Sequence, residues 1–228
     1  MRAWVLVAAL LPANAYAGND YAALVAGYRG AATTLSTADG DASALNHAPR
    51  LGFVVYGGDW FLKLRATFVS GVTGDEPHAR FVTDMFGGGE VGVHWPRASG
   101  NLAVGLLVDG KSIGVREGDG WSAGGRGVDG GVSLHFAFPA WGRVRFDPSI
   151  AAGVSVLRGD ETYSGVFALG ELEVFVRLMS SLSLWLGAGI DVRRYASRAD
   201  ADPFDARTWR FDLGVALHDL WGIGHNAL

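Results

Sequence analysis

Several groups of side chains have the types and spacing that chemistry would require. Gly120-Trp121-Ser122-Ala123-Gly124 fits G-x-S-x-G, in which a serine on a sharp strand-to-helix turn becomes a nucleophile beside oxyanion donors. No helical pattern follows it and no acid and base complete it, so the segment is read as a flexible glycine-rich loop. Ser133 and His135 stand two apart, which places both on one face of a strand. Acidic residues cluster at Asp39-Gly40-Asp41, Asp75-Glu76, Glu117 with Asp119, Asp160-Glu161, and Asp200, Asp202, Asp205. Calcium needs six or more oxygens, and an EF-hand loop starting at Asp39 would need glutamate where Arg50 stands. These clusters are therefore read as solvated loop charge. Arg158-Gly159-Asp160 is an RGD tripeptide, short enough to recur by chance.

The largest constellation is spread along the chain. Lys63, Arg65, Arg143, Arg145, Arg177, Arg193 and Arg210 fall on the polar positions of alternating segments. So do Glu90, Asp109, Asp147, Glu171, Glu173, Asp191 and Asp212, with His94, His135 and His218 among them. Cations and anions are equal in number. A channel selective for one sign would carry an excess of the other. Balance suggests ion pairs that fill a narrow interior, against the plainer reading that these positions are polar because water wets them.

The elements that would position these groups are strands. Leu102, Val104, Leu106 and Val108 alternate with other residues, as do Leu172, Val174, Val176 and Leu178, and Trp209, Phe211, Leu213, Val215 and Leu217. Period-two patterning predicts strands, and no long helical pattern competes with it. Ten strands are expected near 20–29, 49–56, 59–69, 84–95, 101–109, 127–138, 143–156, 165–178, 182–195 and 207–218; eight and twelve are the alternatives. Several runs reach ten residues, against a mode of about 5–6 in soluble proteins and about 9–11 for a tilted strand crossing a bilayer.

The gaps alternate long and short. The long ones fall near 30–48, 70–83, 110–126, 157–164 and 196–206; the short ones are Gly57-Gly58, Pro96 to Gly100, Pro139 to Gly142 and Met179 to Ser181. Such sorting is what a barrel with long external loops and short internal turns requires. A two-residue loop at Gly57-Gly58 would place Val55 opposite Trp60 and Phe53 opposite Leu62. A three-residue loop at Met179 to Ser181 would pair Val176 with Leu184 and Val174 with Leu186. Both registers give an apolar face without adjustment. Tyr56, Trp60, Trp95 and Phe138 at the short-turn ends, with Tyr195 and Trp209 opposite, are expected as aromatic girdles.

The start of the chain, Met1 to Ala17, has one arginine, an apolar run and Ala15-Tyr16-Ala17, the marks of a cleaved secretory leader. Residues 18–228 are then the barrel domain. The net charge of −4 disfavours nucleic acid as a partner, and the absence of cysteine excludes disulfides and thiolate chemistry. No apolar run approaches the ~18 residues of a spanning helix.

In strand length, loop sorting and aromatic placement the chain resembles the small outer-membrane β-barrel proteins of Gram-negative bacteria. The resemblance is of architecture and covers about residues 18–220. It implies an antiparallel up-and-down transmembrane barrel, outer-membrane lipid and the outer-membrane assembly machinery as partners, and external loops open to an extracellular partner. Those proteins usually finish on an aromatic residue, whereas this chain runs on past Asp212-Leu213-Gly214-Val215-Ala216-Leu217 to Leu228. The expected function is non-enzymatic, a structural barrel or very narrow pore without a cofactor or metal. The alternatives are an outer-membrane hydrolase and a soluble periplasmic ligand-binding barrel. The parity that sends Val132, Leu134 and Phe136 toward lipid turns Ser133 and His135 inward, which speaks against the hydrolase.

Overall fold

The computed structural model describes residues 21–67, 70–73, 80–97, 100–117, 120–140, 143–197 and 202–218. The expected leader (1–17), the Asp75-Glu76, Asp119 and Asp200 positions and the segment after His218 lie outside the described residues. The strands are β1 (Tyr21–Thr37), β2 (Gly40–Gly57), β3 (Trp60–Thr67), β4 (Ser70–Thr73), β5 (Arg80–Arg97), β6 (Gly100–Glu117), β7 (Gly120–Ala140), β8 (Val144–Arg158), β9 (Thr162–Met179), β10 (Leu182–Ser197) and β11 (Phe204–His218). Both β3 and β4 pair with β5, so they form one interrupted barrel strand. Sequential antiparallel neighbours, a β1–β11 seam and the β3–β5 pairing close a ten-stranded up-and-down barrel.

Ten strands and their faces agree with the alternation, but the strands are longer than expected. β1 has 17 residues, β6 18 and β7 21, well beyond the ~9–11 that cross a bilayer. The expected long connection 30–48 is almost all strand, with a turn only at Ala38 and Asp39. Of the expected 110–126 connection, residues 110–117 and 120–126 likewise belong to the ends of β6 and β7. Most of this extra length lies at the end opposite the short turns, forming a projecting rim.

Two registers settle differently in detail. The β2–β3 loop is Gly58-Asp59, with Gly57 opposite Trp60 and Val55 opposite Leu62. Gly58 adopts φ 58°, the left-handed conformation that favours glycine, and the Trp60 ring lies over Gly57. The shift from the expected pairing is two residues, so the faces survive it. Between β9 and β10, Val176 pairs with Leu184 and Val174 with Leu186 as expected, but a bulge at Leu182/Ser183 reduces the loop to Ser180-Ser181.

Candidate functional site

The interior is arranged in layers along the barrel axis. At the short-turn end, Ala23, Tyr56, Phe61 and Ala103 form one apolar cluster, and Val25, Phe175, Trp185 and Ala216 another. Tyr56 stacks on Phe61 with centroids 5.6 Å apart, and Phe61 meets His135 edge-on at 5.5 Å. The Phe61 ring fills the space over Gly92 and Gly105, where an added Cβ would lie 2.6 Å from it. Inward glycine beneath an inward ring lets a small barrel accommodate its largest side chains.

Above these rings lies charge. Arg29 and Asp212 are cross-strand partners in the β1–β11 register, and Arg29 donates from Nε at 2.7 Å and from Nη2 at 2.8 Å to the two Asp212 oxygens. Arg50 is the hub. It donates to Glu171 and Glu173, each at 3.1 Å, and to Asp212, and lies 4.6 Å over the Trp185 ring. Lys63 Nζ donates to the second Glu173 oxygen at 2.9 Å. Beside this set, Arg65 bridges Asp109 at 2.7 Å and Glu90 at 3.2 Å, and Glu90 pairs with His135 at 2.5 Å. Toward the rim, Asp129 receives Lys111 at 2.7 Å and Arg193 at 2.6 Å, and Arg193 also holds Asp191 at 2.6 Å.

A third layer closes the rim end. Leu35, Ala42, Ala44, Ile113, Val115, Ala123, Leu157, Tyr163, Tyr195, Phe204 and Ala206 form a buried apolar cluster. Tyr195 and Phe204 stack at 4.6 Å within it. The lumen in the lower half keeps a cavity of about 30 Å³ beside Arg50, Lys63, His135, Asp147 and Glu173. That is room for about two water molecules.

Most of the charges expected to face inward do so: Lys63, Arg65, Glu90, Asp109, Arg145, Asp147, Glu171, Glu173, Asp191, Arg193, Arg210 and Asp212 are buried or half-buried on the inner face. Arg177 is half-buried near the short-turn mouth. Arg143 is different. It sits exposed in the turn before β8, because β8 begins only at Val144, and its carbonyl accepts the Arg177 amide at 2.8 Å. Glu171 pairs with Arg50 and Arg29 and Glu173 with Arg50 and Lys63, while Arg145 is held by Asp147 on its own strand at 2.7 Å.

Arg29, Arg50, Lys111 and Asp129 were missed by the sequence reasoning. Asp129 shares the parity of Ser133 and His135, and Arg50 the parity opposite Leu51, so a signal existed for both. Tyr56 and Tyr195, expected in the girdles, point inward and are buried, whereas Trp95 and Trp209 are exposed. The G-x-S-x-G segment opens β7, which continues as strand to Ala140 with no helix after it. His135 pairs with Glu90, and the close serine–histidine contact is Ser183–His218 at 2.7 Å, with both residues buried. Among the described residues no cluster of His, Asp and Glu could hold a metal ion.

The outer face reverses the inner one. Trp209, Phe211, Leu213, Val215 and Leu217 along β11 are all 40–65% exposed, and Leu106, Val132, Ile150, Val154 and Val166 on other strands exceed half exposure. A closed barrel with an apolar belt outside and paired charge inside has lipid as its outer solvent. The architecture is that of an outer-membrane β-barrel. No protein-family model and no curated protein matches the chain. Among solved structures, the barrel is similar to the outer-membrane protease OmpT of Escherichia coli, at 6% identity and TM-score 0.46, covering 91% of this chain and 99% of that one. It is similar to the translocator domain of the autotransporter NalP of Neisseria meningitidis, at 10% identity and TM-score 0.41, covering 93% and 92%. It is also similar to Ail, the attachment invasion locus protein of Yersinia pestis, at 9% identity and TM-score 0.39, covering 88% and 100%. These are likenesses of fold alone.

Proposed function

We propose that the barrel is a closed, non-enzymatic membrane scaffold that holds its rim outside the cell as an interaction surface. The observation that carries this reading is the filled interior: an aromatic layer, a paired charge layer and an apolar cap follow one another, and the cavity beside Arg50 and Glu173 has room for only about two waters. Solute passage would need several ion pairs to part at once. A hydrolase would need its serine and histidine open to substrate, whereas Ser183 and His218 are sealed inside. A soluble ligand-binding barrel would need a polar exterior, which the β11 belt contradicts. Export behind a cleaved leader at residues 1–17 and insertion by the outer-membrane assembly machinery accompany the reading.

Planar-bilayer recording of the refolded protein tests it. The wild type is expected to show no steady openings. Glu171→Gln with Glu173→Gln should loosen the charge layer and produce anion-preferring openings, since Arg50 and Lys63 would lose carboxylate partners. Steady wild-type conductance would overturn the closed scaffold.

A further inference from the structure

The outer face carries a pair of like charges for which no neutralising partner stands among the described residues. Arg126 on β7 and Arg158 on β8 are directly opposite one another in the strand register, and both are exposed. Neither makes an ion pair among the described residues. Like charges directly opposite on one face are destabilising, so the pair is at odds with the sheet that holds it unless an anion comes between. Arg194 shows the contrast: its cross-strand partner is Asp205, and the two meet at 3.9 Å. The carboxylates next along the chain, Asp160 and Glu161, belong to the β8–β9 turn rather than to the strand face.

The place of the pair decides the anion. Directly beneath it on the same two strands run Val128 opposite Val156, Gly130 opposite Val154, Val132 opposite Ala152, and Leu134 opposite Ile150. These valines and Ile150 are 44–61% exposed, a strip of the lipid-facing belt. An anion drawn to Arg126 and Arg158 therefore has acyl-chain surface immediately below it. We infer that Arg126 and Arg158 together clamp the phosphate of a lipid headgroup in the leaflet at the rim end, with its chains lying along the Val128–Ile150 strip. Two planar guanidiniums side by side match phosphate oxygens with bidentate hydrogen bonds. The inference rests on the membrane reading, and its test separates the two.

The protein, purified from membranes in detergent, is offered lipid A with two phosphates, the same lipid after dephosphorylation, and inorganic phosphate, and retained lipid is counted by native mass spectrometry. The wild type is expected to hold the phosphorylated lipid about tenfold or more better than the dephosphorylated one, the range of charged hydrogen bonds. Arg126→Gln with Arg158→Gln should abolish that preference; Arg143→Gln, at the exposed turn of the opposite end, should leave it intact. Equal preference in the wild type and the double variant, both folded by heat-modifiable gel mobility, would overturn the clamp while leaving the barrel standing. So would displacement of the lipid by inorganic phosphate at equal concentration, which would mean a soluble anion. Recovery of the protein from cells without detergent would instead overturn the membrane reading.

Discussion

Replacing Arg50 with methionine removes the hub of the charge layer while keeping an apolar stem over Trp185. The guanidinium contacts Glu171, Glu173 and Asp212, with side-chain exposures of 3, 9 and 1% against its own 3%. Each charged hydrogen bond is worth about 1.5–3 kcal/mol taken singly, and a desolvated contact with an indole ring about 2 kcal/mol. The sum overstates the loss, because Arg29 still holds Asp212 and Lys63 still holds Glu173. What remains is Glu171 with only its 3.4 Å contact to Arg29, so the loss falls at the low end of the about 3–5 kcal/mol for a buried charge left unpaired. Urea unfolding from short-chain phosphatidylcholine vesicles, followed by tryptophan fluorescence, measures it. Glu171→Gln added to Arg50→Met restores the charge balance, so the pair should be less destabilised than the two single losses summed, by about 1–3 kcal/mol. Stability of Arg50→Met within about 0.5 kcal/mol of wild type, or strict additivity in the double variant, would refute an interlocked charge layer.

Leu213 is 56% exposed at the centre of the β11 belt, so Leu213→Arg should cost ~2–4 kcal/mol in the same assay. Arginine at Ser36, on the outer face of the rim, should cost less than ~1 kcal/mol; equal losses at the two positions would invert the membrane assignment. Phe61 is fully buried, and Phe61→Ala should cost about 3–5 kcal/mol through the cavity it leaves, read as a fall in the urea midpoint. An epitope inserted in the Ala38-Asp39 turn should react with antibody on intact cells; reactivity only after outer-membrane permeabilisation would place the rim inside.

The strand count, the lipid-facing positions and most inward charges were legible in the sequence because one rule, apolar outward, governs the lower part of every strand. That rule fails in the rim. From Ala31 to Leu35 and from Ala42 to Ala48 the alternation of burial continues, but most apolar residues now face inward, with outward Leu45, 82% exposed, the exception. Ala31, Thr33, Leu35, Ala42, Ala44, Asn46 and Ala48 are buried inside, and Ser36, Asp41, Ser43 and His47 are exposed outside. Water has replaced lipid as the outer solvent there, so the hydrophobic effect fills the interior instead. Residues 30–48 and 110–126 therefore look like polar loops to a search tuned to lipid. Arg29 sits at the reversal itself, where neither phase marks it, whereas Arg50 still follows the belt phase opposite Leu51. The pairing of Glu171 with Arg29 and Arg50 was not legible for a different reason: contacts across the lumen depend on barrel closure, which no local spacing encodes.

The reversal also fixes how deeply the barrel sits. On β11 the changeover falls between Trp209, 55% exposed in the belt, and Arg207, exposed in the rim. On β7 and β8 it falls between Val128 or Val156 and the facing arginines. Sinking the molecule by one two-residue step would carry Arg126, Arg158 and Arg207 toward hydrocarbon together, each with a penalty that climbs with depth. Raising it by the same step would strand Leu217 and Leu178 in water at the other end. Opposing penalties around the circumference act as a draught line, and a membrane a few ångströms too thick or too thin must bend to meet it.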